Sequence, residues 1–390
     1  MSTFEGSERG KRADGSAGRL AAAAKAIMAA FVVLAIGLSV IGVADGGSQA
    51  WAQTEGRDVA PPEPKQGHVP GDSLGNTSDA QFWREIRRGM QGSVSLPNKQ
   101  AGVLIQSEGD NWRAVRNGPL SLYGSWALLG IVILLALFFA IRGRVRIEAG
   151  PSGRTIERFN GLERFTHWLT ASCFVVLALT GLNLLYGRYV LLPVIGPEAF
   201  AGLTTAGKYA HNFLAFPFML GLVLMFVLWV RHNIPNKYDL IWISKAGGLF
   251  TTGSHPPSKK FNAGQKIIFW LVILTGITLS SSGIQLLFPF ELALWGKTFE
   301  ALNALGAGLP TNVTPMMEQQ LSQVWHAAIG LFAIVVIVAH IYIGSIGMEG
   351  AFAAMGSGEV DLNWAREHHN IWVAEKLGEK VDDQHHQPAE

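Results

Sequence analysis

Four of the eleven histidines, His167, His211, His326 and His340, fall within or at the ends of long apolar runs. A polar ring without a partner in such a setting costs kilocalories, so something must satisfy each of them. Neutral imidazole is a good ligand for haem iron. His326 and His340 are fourteen residues apart on one run. That is almost four helical turns, which brings the two side chains to within about 40° on one face and separates them by about 21 Å along the axis. Two macrocycles stacked through a bilayer would suit that spacing. Two readings compete: hydrogen-bonded polar residues joining helices, as membrane bundles use, and a zinc-type site, which gathers three or four ligands at one depth. His232, beside Arg231 and before Asn233-Ile234-Pro235, is a rival ligand that its charged flank places in the interface. His68, His255, His368, His369, His385 and His386 lie in polar loops or tails and read as solvated surface.

Composition narrows the setting. The 390 residues are 49% hydrophobic and 15% charged, with a mean hydropathy of +0.24, which is a membrane composition. Thirty-one Lys and Arg nearly balance 29 Asp and Glu for a net charge of +2, so neither a disordered tail protein nor a nucleic-acid binder fits. The single cysteine, Cys173, excludes an internal disulfide, a four-thiolate iron–sulfur cluster and a C-x-x-C-H attachment. Any haem is therefore a non-covalent b-type group.

The histidines must be positioned by helices long enough to span lipid, roughly 20 apolar residues each. Six runs qualify. The first, at 21–43, follows Arg9, Lys11, Arg12 and Arg19 and precedes Ala50-Trp51-Ala52, the form of a signal peptide over 1–52. Residues 53–122 are polar and rich in turn formers and are expected to form a periplasmic segment. Within it, residues 81–88 are a candidate short amphipathic helix. The remaining runs, at 123–141, 165–185, 211–230, 267–288 and 324–346, are expected to span the membrane. Arg142, Arg144, Arg146, Arg154, Arg158 and Arg164 crowd one loop, and Arg231, Lys237, Lys245, Lys259, Lys260 and Lys266 another. Both should be cytoplasmic by the positive-inside rule, with the mature N-terminus periplasmic and the C-terminus cytoplasmic. This topology puts His211 and His326 at the outer level and His167 and His340 at the inner level, two pairs drawn from different helices. Gly181, Gly276 and Gly330 are candidates for close approach of a macrocycle, equally explained by helix packing. Trp168, Trp229, Trp270 and Trp325 read as interfacial anchors.

Several words then occur in a recognisable order: Glu163-Arg164-Phe165-Thr166-His167-Trp168, Gly207-Lys208-Tyr209-Ala210-His211, Arg231-His232-Asn233-Ile234-Pro235, Phe261-Asn262-Ala263-Gly264-Gln265-Lys266, Trp325-His326-Ala327-Ala328 and His340-Ile341-Tyr342. Together, over about 158–372 and including Asn363-Trp364-Ala365-Arg366-Glu367-His368-His369, they resemble the cytochrome b gamma subunit of membrane-bound respiratory formate dehydrogenase. The resemblance implies an all-α transmembrane bundle, here a four-helix dihaem cytochrome b core at 142–372 with one extra N-terminal span at 123–141, a signal peptide and a flexible cytoplasmic tail at 373–390. It implies two haem b, with His167 and His340 on the inner iron and His211 and His326 on the outer. It further implies a menaquinone or ubiquinone site at Asn262, Gly264 and Gln265 near the inner haem. An Asn and a Gln can hydrogen-bond a quinone carbonyl and Gly permits close approach, although Asn262 capping the next helix is as natural. The implied partners are an iron–sulfur beta subunit and a molybdenum- or tungsten-dependent catalytic alpha subunit in a bacterial inner membrane, with no nucleic acid, and a higher oligomer of the complex can follow. The front of the chain departs from the shorter family pattern. The alternatives are a cytochrome b anchor of a hydrogenase or related reductase, and a haem-free anchor or transporter.

Overall fold

The computed structural model describes residues 109–379 except 252, together with the backbone of a short antiparallel pair, β1 (Gly92–Ser93) and β2 (Val103–Ile105). The expected signal peptide, the candidate helix at 81–88 and the tail beyond 379 lie outside the described residues. Helix α1 (Gly109–Val115) leads through a π turn, broken at Gly118 beside Pro119, into α2 (Ser121–Arg142). Strand β3 (Thr155–Glu157) follows, then α3 (Gly161–Val190), α4 (Leu192–Trp229), α5 (Lys237–Ser244), α6 (Ala263–Leu287), α7 (Leu294–Asn303), α8 (Pro315–Tyr342), α9 (Ala353–Gly356), β4 (Glu359–Asp361) and α10 (Leu362–Leu377). Five helical runs are long and apolar enough to cross a membrane, in the number and order read from the sequence. The protein is an all-α, multi-pass membrane protein. Each spanning helix starts ahead of its apolar segment, because lipid leaves a backbone no alternative to internal hydrogen bonding and the polar residues before the run continue the ladder.

The described residues divide into two compact units, one of Ser125–Ile277 with the residues from Ile329 onward, the other of Thr278–Ala328 with the residues up to Gly124. In the first, α3 begins at a reciprocal capping box, in which Asn160 accepts the Glu163 amide and Glu163 accepts that of Asn160. This satisfies two amides that no helical turn can reach. After Leu191 the path breaks at Gly196 (φ +78°), a left-handed conformation glycine adopts without penalty, and Pro197 restarts α4. Helices α3 and α4 then run antiparallel in close contact. A Cβ on Gly221 would meet Thr170 Oγ1 at 2.3 Å, and one on Gly276 of α6 would meet Leu222 at 2.6 Å. Outward-facing Leu179, Phe213, Leu220, Val223 and Val227 are exposed, as lipid-facing side chains are.

At one end of this unit, β3 pairs antiparallel with β4, Ile156 opposite Val360. The pair closes a core of Ile147, Phe159, Trp229, Phe261, Trp364 and Val373. Asp361 caps α10, its carboxylate accepting the amides of Asn363 and Ser152. The Trp229 side chain belongs to this core at 4% exposure and donates to Glu163. It is not an interfacial anchor. His369 likewise departs from the solvated reading: it is wholly buried, breaks the helical path at φ −147°, ψ 44° and contacts the Lys259 carbonyl through Nδ1 at 2.8 Å.

In the second unit, the buried carboxylate of Glu318 accepts the amides of Trp295 and Gly296, both at 2.7 Å, and so supplies α7 with the N-terminal acceptors it lacks locally. Trp295 donates to Ser322 and Gln319 to the Gln285 carbonyl.

Candidate cofactor sites

The inner pair meets. His167, two turns into α3, and His340, near the end of α8, face each other with ring centroids 6.3 Å apart and planes at 57°. With a metal–imidazole bond of about 2 Å and roughly 1 Å from that nitrogen to the ring centre, two imidazoles that held one metal between them would have centres about 6 Å apart. The observed separation fits one iron between them. His167 Nδ1 is buried without a hydrogen-bond partner. Among the described residues no three His, Cys, Asp or Glu side chains gather as a metal-ion site.

The other two histidines carry a shared motif within their own units. His211 Nδ1 lies 2.8 Å from Thr180 Oγ1, and His326 Nδ1 lies 2.9 Å from Ser282 Oγ. In each case the hydroxyl also bonds back one turn, Thr180 to the Val176 carbonyl and Ser282 to the Thr278 carbonyl, both at 2.8 Å. In each case the next residue is a glycine beneath the ring: a Cβ on Gly181 would stand 3.7 Å from His211 Cε1, and one on Gly283 would stand 3.4 Å from His326 Cε1. Of the glycines singled out in the sequence, Gly181 lies against a histidine, whereas Gly276 serves helix packing. Thr180, Ser282 and Gly283 were not visible beforehand. The repeated hydroxyl–glycine dipeptide was a signal, but Thr275-Gly276 repeats it with no histidine opposite its glycine.

The quinone-site candidates cluster at the start of α6. Asn262 Oδ1 accepts the Gln265 amide at 2.9 Å and Gln265 Oε1 accepts the Asn262 amide at 3.2 Å. Both side-chain oxygens are thus engaged in capping, and the side-chain NH2 groups remain as donors. Arg158 adds a hydrogen bond to Gln265 Oε1 at 3.1 Å and another to the Lys260 carbonyl. Burial pulls the Arg158 guanidinium down to about 9, against the opposing pull of Glu163, so it stays charged at neutral pH. Gly264 is pressed on Trp242, 2.8 Å from where a Cβ would be. Glu163, inside one of the words that carried the resemblance, ties this end together: it receives Lys260 at 2.6 Å and Trp229 at 3.0 Å. His232 lines an adjoining cleft of about 720 Å³ with Arg231, Lys259 and Lys260. It sits 6.4 Å from the Phe261 ring, stacked on it, rather than facing another imidazole.

A membrane bundle that brings imidazoles from different helices together is the architecture of a b-type cytochrome. The family profile for prokaryotic cytochrome b561 matches residues 158–358, and the chain belongs to that family. Haem b is therefore its cofactor class. The chain is similar to the cytochrome b556(fdo) subunit of formate dehydrogenase from Escherichia coli K12, 28% identical over 222 residues that cover 57% of this chain and 93% of that one. It is similarly related to the nitrate-inducible cytochrome b556(Fdn) subunit of the same strain, 28% identical over 224 residues, covering 57% and 92%. The formate dehydrogenase cytochrome b556 subunit of Haemophilus influenzae is 24% identical over 240 residues, covering 61% and 90%. The resemblance read from the sequence words is borne out.

Proposed function

We propose that this chain is the dihaem b-type cytochrome subunit of a formate dehydrogenase, carrying electrons from an iron–sulfur partner on the periplasmic side to quinone on the cytoplasmic side. Formate oxidation belongs to a molybdenum- or tungsten-dependent partner, because a chain with one cysteine, Cys173, lacks the thiolates for iron–sulfur clusters. The carrying observation is the His167–His340 approach of 6.3 Å between two helices. His167 and His340 hold the inner haem, and His211 and His326 the outer one, the latter pair supported by their matching depth in the sequence topology. When bound, the two haems would supply one-electron carriers; their proposed ligands His326 and His340 are separated by about 21 Å along α8, from the rise of 1.5 Å per residue.

The residues of the chain do the rest. Apolar faces of α3, α4, α6 and α8 exclude water from the imidazoles. Asn262 and Gln265 donate their NH2 groups to a quinone carbonyl, while Gly264, its open face filled by Trp242, lets that indole close on the start of α6. Protons for the reduced quinone enter from the cytoplasmic side, next to the Lys- and Arg-rich loops. The domain plan stands as part of this proposal: signal peptide 1–52, periplasmic segment 53–122, an added span at 123–141, the dihaem domain at 142–372 and a cytoplasmic tail from 373, in a bacterial inner membrane. The test is reduced-minus-oxidised spectroscopy of the membrane subunit. His340→Ala should remove one haem b component and His211→Ala the other. Substitutions that leave both components intact overturn the ligand assignment, and a wild-type chain without a haem α band overturns the function.

A further inference from the structure

We infer that Thr180 and Ser282 are positioning residues that fix the tautomer of His211 and His326 and hold the outer haem at a lower reduction potential than bare imidazoles would. The inference rests on the ligand assignment proposed above. A hydroxyl has one proton to give, and in both residues the helix claims it: Thr180 Oγ1 lies 2.8 Å from the Val176 carbonyl and Ser282 Oγ 2.8 Å from the Thr278 carbonyl. What each hydroxyl turns toward the imidazole is therefore a lone pair. The Nδ1 atoms at 2.8 and 2.9 Å then carry the ring proton, the Leu177 carbonyl that also accepts from the His211 ring favouring the same tautomer, and Nε2 is the basic nitrogen, as a metal requires. The neighbouring Gly181 and Gly283 leave space at Cε1, so each ring is oriented from two sides by one dipeptide.

The arrangement occurs twice, on α3 for His211 and on α6 for His326. The two occurrences belong to separate compact units and lie 102 positions apart in the chain, counting Thr180 to Ser282. Chance satisfaction of one half-buried histidine would not repeat the helix back-bond, the Nδ1 contact and the following glycine together. The inner level differs, since His167 Nδ1 has no partner.

An acceptor on Nδ1–H makes the imidazole a stronger donor through Nε2. Stronger donation favours ferric over ferrous iron, so the hydroxyls lower the outer potential. Under the proposed function this points electrons inward, from the lower-potential carrier to the higher. Outer-shell partners of this kind change metal affinity by about tenfold or more. A tenfold change confined to the ferric form corresponds to about 59 mV for a one-electron couple.

The experiment is a spectroscopic redox titration of the complete complex in native membranes for wild type, Thr180→Val and Ser282→Ala, with Thr180→Ser and Ser282→Thr as hydroxyl-retaining controls. The outer wave is identified as the one that His211→Ala abolishes. Expected is an upward shift of the outer wave by about 59 mV per hydroxyl removed, an inner wave that does not move, and return to the wild-type value in the hydroxyl-retaining pair. Should Thr180→Val fail to assemble, Thr180→Ala, which removes volume, is titrated in its place. An outer wave that stays at the wild-type potential without the hydroxyls overturns the inference, as does an equal shift in Thr180→Ser. A wild-type complex in which no wave depends on His211 instead refutes the ligand assignment itself, so the two failures are distinguishable.

Discussion

Acidification from pH 7 to pH 5 should loosen helix α10 selectively. His368 and His369 sit where the tail folds back, and burial is the main cause that holds both below the ordinary value: His368 is lowered from 6.5 to about 4, and His369 is held well below 6.5, with the Arg158 charge adding to the effect. A histidine with a depressed folded-state value is neutral in the packed tail but takes up a proton in the released tail once the pH falls under 6.5. The released form therefore binds more protons, and packing weakens as pH drops from 6.5 toward the folded value. For His368, 1.5 units between 6.5 and pH 5, at 1.36 kcal/mol per unit, give about 2 kcal/mol. The ring keeps part of its surface, and screening reduces this to about 1–2 kcal/mol, with His369 adding in the same direction. The capping carboxylate does not offset the effect. Burial alone would raise Asp361, but hydrogen bonds from Ser152, Trp364 and Asn363 hold it below the usual range, so it stays ionised at pH 5. Amide hydrogen exchange of α10, corrected for the intrinsic pH dependence, should accelerate about five- to thirty-fold. A His368→Asn/His369→Gln double variant should lose most of that acceleration. Equal corrected protection at the two pH values, or full acceleration in the double variant, refutes the reasoning.

Three further outcomes follow from particular contacts. Gly221→Ala drives a methyl into Thr170, including its backbone Cα at 3.3 Å, and should destabilise the α3–α4 pair by about 1–3 kcal/mol, read as earlier loss of the haem spectrum on heating in detergent. Asp361→Ala removes the cap of α10 and two bonds to Ser152, at a cost of about 1–2 kcal/mol. Limited proteolysis should then cleave the tail sooner, and Asp361→Asn should restore resistance. Gln265→Leu removes the Arg158 and Asn262 contacts and one proposed quinone donor. The KM for a soluble quinone should rise by up to about tenfold, from the net worth of one hydrogen bond, with both haem spectra unchanged; an unchanged KM would remove Gln265 from the site.

What the sequence determined by itself was set by lipid. An apolar run of about 20 residues has one backbone solution in hydrocarbon, so five spans were legible in number and order. The fourteen-residue spacing of His326 and His340 placed both on α8 because helical rise and twist are local quantities. The charge bias of the loops paired His167 with His340 at one expected level, and the structure brings those two rings to 6.3 Å. Tertiary structure decided what no local period encodes. His369 looked solvated in a polar tail, yet its partner is the carbonyl of Lys259, 110 positions away. Trp229 looked like an interfacial anchor, yet it is bound to Glu163 at the start of another helix. Thr180 and Thr275 each precede a glycine in an apolar helix, and only the packing of neighbouring helices makes one of them the partner of a histidine while the glycine after the other meets Leu222. Composition and periodicity choose which residues leave water; which polar atoms then meet depends on how whole helices rotate and slide to bury them, and that is a property of the assembled bundle.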